Sequence, residues 1–165
     1  MRNALGYDIP EGYTLKSYKA FTGMDFQAWE AVIYRGKTRA GIVVDRGTGG
    51  GAWGQWDSGK ERELFHEWMK TCPNGVSPDP SNTMCDSEEW ALATLGVAAE
   101  ITKVADQLSK TRTLFLVGDQ DPVQGWDGLT QPYSESVHAY LLKECPNQRI
   151  RVWFKGEGWV TIHEG

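Results

Sequence analysis

The stretch from Ala28 to Trp56 constrains this chain more than any other. Two β-branched, aromatic-rich runs, Phe26–Tyr34 and Thr38–Asp45, flank a turn at Arg35-Gly36-Lys37. That pattern predicts a β-hairpin. The two-residue period of a strand puts Ala40, Ile42 and Val44 on one face of its second arm. The hairpin runs directly into Arg46-Gly47-Thr48-Gly49-Gly50-Gly51-Ala52-Trp53-Gly54-Gln55-Trp56. Clustered glycines open backbone conformations closed to other residues, or let a ligand or a second backbone approach closely. Read as a loop, this cluster places a candidate site without specifying its chemistry.

Around the hairpin the chain reads as a mixed α+β protein. Residues 1–12 form a loose lead-in. Tyr13–Phe21 reads as a strand whose Lys16 and Lys19 break the alternation, which suits a sheet edge. Ser58-Gly-Lys-Glu61 has the spacing of a capping box, and Leu64, Phe65, Trp68 and Met69 follow at helical spacing to about Thr71. A proline-rich loop with Pro73, Pro78 and Pro80 comes next. Asp86-Ser-Glu-Glu89 then opens a longer helix with Ala91, Leu95, Ala98, Ile101, Ala105 and Leu108 as its stripe. Its small residues predict close packing on a sheet. Thr113–Val117 is a strand, 118–128 a turn-rich connection, and Ser134–Glu144 a third helix with Val137, Tyr140 and Leu141 on one side. Two C-terminal strands, Arg149–Lys155 and Trp159–His163, complete the order. The expectation is a single α+β domain over 1–165, with an antiparallel sheet, an N-terminal hairpin or meander, and about three helices on one face.

Composition narrows the function classes. The formal charge of −5 lacks the clustered basic face of a general nucleic-acid binder. No run of about 18 apolar residues is present to cross a membrane. The first ten residues lack a signal peptide's apolar region, so a cytoplasmic chain with thiols at Cys72, Cys85 and Cys145 is expected. Eight tryptophans among 165 residues are the outlier.

Four segments together resemble a family of small α+β accessory proteins found in phages, prophages and plasmids. They are Phe21-Thr-Gly with Ala28-Trp-Glu-Ala-Val-Ile-Tyr, Arg46-Gly-Thr-Gly-Gly-Gly, Lys110-Thr-Arg-Thr-Leu-Phe-Leu-Val, and Tyr133-Ser-Glu-Ser-Val-His-Ala-Tyr-Leu. Thr48 stands where that family tends to carry histidine or another polar residue before its paired glycines, so no histidine chemistry carries over. The resemblance implies an accessory protein of a mobile element, with counter-defence (including inhibition of a nuclease complex) as its setting.

No constellation of nucleophile, base and orienting group can be nominated by spacing. The glycine run lacks the Lys-Ser/Thr ending of a phosphate loop and the helix that follows a dinucleotide fingerprint. His66, His138 and His163 show no metal-binding pair spacing, and there is no Cys-x-x-Cys. Asp119, Asp121 and Asp127 share one connection, yet aspartates in turns mainly bond their own backbone. No metal or cofactor is expected. Trp53, Trp56, Trp126 and Trp159 lie among glycines, without the helical period that explains Trp68 and Trp90 as core. Rings so placed either fold back as lids on the sheet, since Trp is costly to expose, or serve recognition of a base or a partner side chain. The candidate binding residues are therefore Arg46, Gly47, Thr48, Gly49, Gly50, Gly51, Trp53, Trp56 and Trp126. The expected activity is non-catalytic binding of a host protein or a small nucleotide. The alternative is a phosphoester hydrolase working through the acidic loop.

Overall fold

A computed structural model describes residues 4–5, 11–22, 27–72 and 88–165. The proline-rich loop, Cys85, Asp86, Phe26 and most of the lead-in lie outside the described residues. The fold is α+β, with three helices and two four-stranded antiparallel sheets among the described residues. The chain divides into two compact units. The described residues up to Glu100, apart from 4–5, form one, and Ile101–Gly165 with 4–5 form the other.

In the first unit, β1 (Tyr13–Thr22), β2 (Gln27–Arg35), β3 (Thr38–Asp45) and β4 (Ala52–Trp56) form a meander in that spatial order. Gly36, at φ 59°, supplies the left-handed residue that the tight β2–β3 turn needs. The lysine-bearing β1 is an edge strand, as its broken alternation suggested.

Two bulges set which side chains face inward. In β1, Ser17 and Tyr18 together oppose Ala31, and Ser17 takes a φ of 56° to absorb the extra residue. In β3, the pairing passes from Arg39 to Gly41, leaving Ala40 as the inserted residue. One inserted residue exchanges the faces of everything beyond it. This corrects the expectation that Ala40, Ile42 and Val44 share a face. Ala40 and Val43 are fully buried, whereas Ile42 and Val44 turn to the opposite side and are only half-buried. A second correction concerns 52–56, which reads as a glycine-rich loop but is strand β4. Gly41 makes this pairing possible, because a Cβ there would collide with the backbone carbonyl of Gln55.

The inner face carries Tyr13, Leu15, Ala31, Ile33 and Val43, all buried. Helix α1 (Gly59–Met69) covers part of it with Phe65 and Trp68. Ser58 caps α1 by accepting the Glu61 N–H at 3.2 Å. Glu61 does not reach back to the cap. Its carboxylate instead takes both Nε and Nη2 of Arg35, at 3.0 and 2.8 Å, and ties the helix to the hairpin. Helix α2 (Glu88–Leu108) buries Leu92, Gly96 and Ala99 beside its expected stripe, so its apolar arc is broader than the spacing implied. Leu95 is fully buried, as expected.

The second unit contains β5 (Thr113–Val117), β6 (Asp127–Leu129), α3 (Glu135–Glu144), β7 (Ile150–Phe154) and β8 (Gly158–His163), with the strands in order β6-β5-β7-β8. On one face, Val137 and Leu141 of α3 meet Ile150 and Val152, with Phe115 and Phe154 at the margin. Tyr140 is 48% exposed, which corrects its placement with that pair. Tyr133 fills the flank instead, edge-on to Phe154 at 5.0 Å. On the other face, Trp153 donates to Asp106 Oδ1 of α2 at 3.0 Å. The fully buried Trp159 donates to the Ala4 carbonyl at 3.2 Å.

Candidate functional site

The glycine cluster is the loop of the β3–β4 hairpin, closed by the Asp45–Ala52 pair. Asp45 Oδ1 accepts the Gly47 N–H at 2.8 Å and starts the turn. Gly47, Gly49 and Gly51 then take φ of 64°, 77° and 74°, a conformation that L side chains resist. Gly51 has a second requirement, because the carboxylate of Glu89 occupies the space a Cβ would need. That negative charge beside the loop opposes the phosphate cradle the glycines suggested. Thr48 and Gly50 sit on the exposed outer turn, where Thr48 Oγ1 would lie 3.7 Å from a Cβ on Gly50.

Because Trp53 and Trp56 are three residues apart on a strand, their rings point to opposite faces. Trp56 turns inward onto Phe65, with ring centroids 4.8 Å apart. Its Nε1 donates to Glu88 Oε1 at 2.8 Å. Glu88 Oε2 also accepts Arg62 Nε at 2.7 Å and lies 2.7 Å from His66 Nε2. Burial alone raises the Glu88 carboxyl, but the hydrogen bonds from Trp56, Arg62 and His66 outweigh it and hold the group below the usual glutamate range. Nothing in the spacing of these four residues announced their meeting.

Trp53 turns outward, is 39% exposed, and carries the Arg46 guanidinium 5.6 Å above its ring. Trp126 belongs to the other unit, half-buried against Trp159 at 5.8 Å. Of the nine residues nominated from sequence, Arg46 and Trp53 form one exposed pair and the glycines with Thr48 form the adjoining turn. Trp56 points to the other side of the sheet, so the two tryptophans of this strand do not share one recognition surface.

Register extends the Arg46–Trp53 pair into a surface. Lys19, Glu30, Val44 and Trp53 lie in one row across the outer face, and Lys16, Val32, Ile42 and Gln55 in the next. Tyr34 and Arg39 continue the grid at one end, and Phe21, 48% exposed, at the other. The middle is half-buried aliphatic surface. Lys19 pairs with Glu30 at 3.3 Å, and Arg39 holds both oxygens of Asp57 at 2.8 Å. Lys16 lies 4.6 Å over the Tyr34 ring, as Arg46 does over Trp53. Among the described residues, neither Lys16 nor Arg46 has a carboxylate within ion-pair distance. Sequence reading missed this face because the bulges at Ser17 and Ala40 decide it. The two lysines of β1 were the available signal.

The acidic connection is used locally. Asp121 Oδ1 accepts the Val123 N–H at 2.8 Å, and Gln120 Nε2 donates to Asp127 Oδ2 at 3.2 Å. Among the described residues, no three His, Cys, Asp or Glu side chains are placed to hold a metal ion. His163 lies 3.0 Å from the Pro146 carbonyl, and His138 lies against Tyr133 at 6.1 Å. Cys72 Sγ donates to the Trp68 carbonyl at 3.8 Å, and Cys145 carries a free thiol. Among the described residues, no helix is long and apolar enough to cross a membrane. Comparison with protein-family models, with curated proteins and with solved structures finds no match to this chain.

Proposed function

We propose that this chain is a non-catalytic binding protein of a phage or other mobile element that seats a host protein on the outer face of its N-terminal sheet. Counter-defence, by inhibition of a host protein or nuclease complex, is the setting suggested by the segment resemblance. The supporting observation is Trp53, exposed on strand β4 beneath Arg46 and continuous with half-buried Val44, Val32 and Ile42. Covering the exposed 39% of Trp53 removes about 100 Å² from water. At about 25 cal/mol per Å² that contributes roughly 2.5 kcal/mol, the scale of an interface hot spot. A protein partner is favoured over a nucleotide, since Glu89 stands beside the glycine loop and Arg46 is turned onto the ring. The hydrolase alternative has less behind it, because the acidic loop engages its own backbone and side chains.

A photo-crosslinking residue at exposed Gln55, compared with one at exposed Lys155 in the second unit, tests this in host lysate. One dominant adduct is expected from position 55, absent from position 155 and lost when Trp53→Ala is introduced. Identical adducts from both positions, or indifference to Trp53→Ala, overturn the reading.

A further inference from the structure

The outer sheet face carries a pattern of charge that narrows the partner's chemistry, given that this face is the binding surface. The whole chain has a formal charge of −5, yet the face is locally positive. Lys19 and Arg39 are matched by Glu30 and Asp57, which leaves Lys16 and Arg46. Each of these two cations lies over an aromatic ring. A cation held on a ring face stays available to an anion arriving from above, while the ring supplies apolar contact beside it. The Lys16 amine lies over Tyr34 of β2 and Arg46 over Trp53 of β4, rings separated by two strand spacings and four residues along the strands, or roughly 16 Å. Between them run Val32, Ile42 and Val44.

We infer that the segment seated here is acidic and apolar: a stretch of a partner protein with two carboxylates set roughly 16 Å apart, flanking aliphatic or aromatic side chains. In an extended segment that separation corresponds to acids about five residues apart. The carboxylates pair with Lys16 and Arg46, and the apolar side chains cover the aliphatic strip. Nucleic acid is disfavoured, because two cations cannot replace the counterions of a phosphate backbone as a basic stripe does.

A random 12-residue peptide library displayed on cells and selected against the immobilised full chain tests this. The wild-type chain is expected to enrich peptides with two Asp or Glu residues beside apolar ones. Changing those acids to amides should weaken binding about ten-fold. The double variant Lys16→Glu/Arg46→Glu is expected to select basic peptides instead. Trp53→Ala should abolish enrichment for either chain. Enriched peptides that depend on Trp53 but carry no excess of acids overturn the charge inference and leave the binding face standing. Enrichment that ignores Trp53→Ala overturns the binding face itself. A twelve-nucleotide oligothymidylate that binds more tightly than the selected peptides overturns the inference in favour of nucleic acid. Self-association in sedimentation that Trp53→Ala abolishes overturns it in favour of a second copy.

Discussion

Gly96 of helix α2 lies against the indole of Trp29, where a Cβ would stand 2.6 Å from both Cη2 and Cζ2 of the ring. No real Cβ contact is that short, so a larger residue must displace the helix or the ring. Trp29 has little room to yield: it is 8% exposed and stacks on Tyr18, with centroids 5.5 Å apart. Gly96→Ala gains about 1 kcal/mol of helix propensity. Overpacking costs about 1–3 kcal/mol against it. The expected net is a loss of about 1 kcal/mol, and Gly96→Val, with less propensity gain and more bulk, should lose more. Urea denaturation measures both, and a stabilised Gly96→Ala would show that helix and sheet are not in this contact.

Trp29 and Gly96 also show what could be read in advance. The small residues of α2 announced close packing, and helical spacing found Phe65, Trp68 and Leu95, because each of these signals is local. The outer face of the first sheet was hidden for a physical reason. Its composition depends on one inserted residue at Ala40 and another at Ser17; the break at Lys16 and Lys19 marks the second, while nothing in the alternation of β3 marks the first. Trp53 and Trp56 stand out in the sequence as residues lacking helical period. Their separation to opposite faces required recognising β4, whose Gly54 and preceding glycines imitate a loop. The Glu88 cluster draws Trp56, Arg62 and His66 from two other elements, so only tertiary structure reveals it.

The tryptophans should separate by stability. Trp68 is 8% exposed and packs on Tyr13 and Phe65, at 5.2 and 5.3 Å between centroids. Trp68→Ala should cost about 3–5 kcal/mol, as removal of a buried large aromatic does. Trp53→Ala removes a ring that is 39% exposed and only partly packed, so it should cost about 1–2 kcal/mol, clearly less than Trp68→Ala. Denaturation midpoints compare them directly. Similar losses for both variants would make Trp53 a structural ring.

Glu88 should link stability to pH. Its folded pKa lies below the ordinary 4.5, so as pH falls the unfolded chain takes up the proton first. The stabilisation is therefore fully present above about pH 4.5 and lost as pH falls toward the folded value. Glu61, lowered by its hydrogen bond and charge contact with Arg35, acts in the same direction. Glu88→Gln should cost about 1–2 kcal/mol at pH 7. It should also reduce the difference in stability between pH 7 and pH 3.5. An unchanged pH dependence would remove Glu88 from the account.

Arg151 anchors the connection after β5 from below. It is 5% exposed, and its Nη2 donates to the Gln120 carbonyl at 2.6 Å and the Gly118 carbonyl at 3.4 Å. Its Nε has no hydrogen-bond partner. Burial and the neighbouring Arg149 hold its pKa below the usual arginine value, against the opposing pull of Asp119 and Asp121. A buried guanidinium without a paired carboxylate contributes little net stability, because desolvation offsets its hydrogen bonds. Its stem still fills space, and its Nη2 still fixes two carbonyls. Arg151→Met keeps most of the stem and removes the fork, so global stability should change by less than about 1 kcal/mol. Arg151→Ala also empties the space and should cost about 2–4 kcal/mol. The loop is the separate readout: the Gln120 amide, bonded to the Val117 carbonyl at 3.3 Å, should exchange about ten-fold faster in Arg151→Met. Faster exchange with nearly unchanged stability assigns Arg151 to holding the acidic loop in place. Unaltered exchange would leave it a filler of the sheet face that carries Trp153.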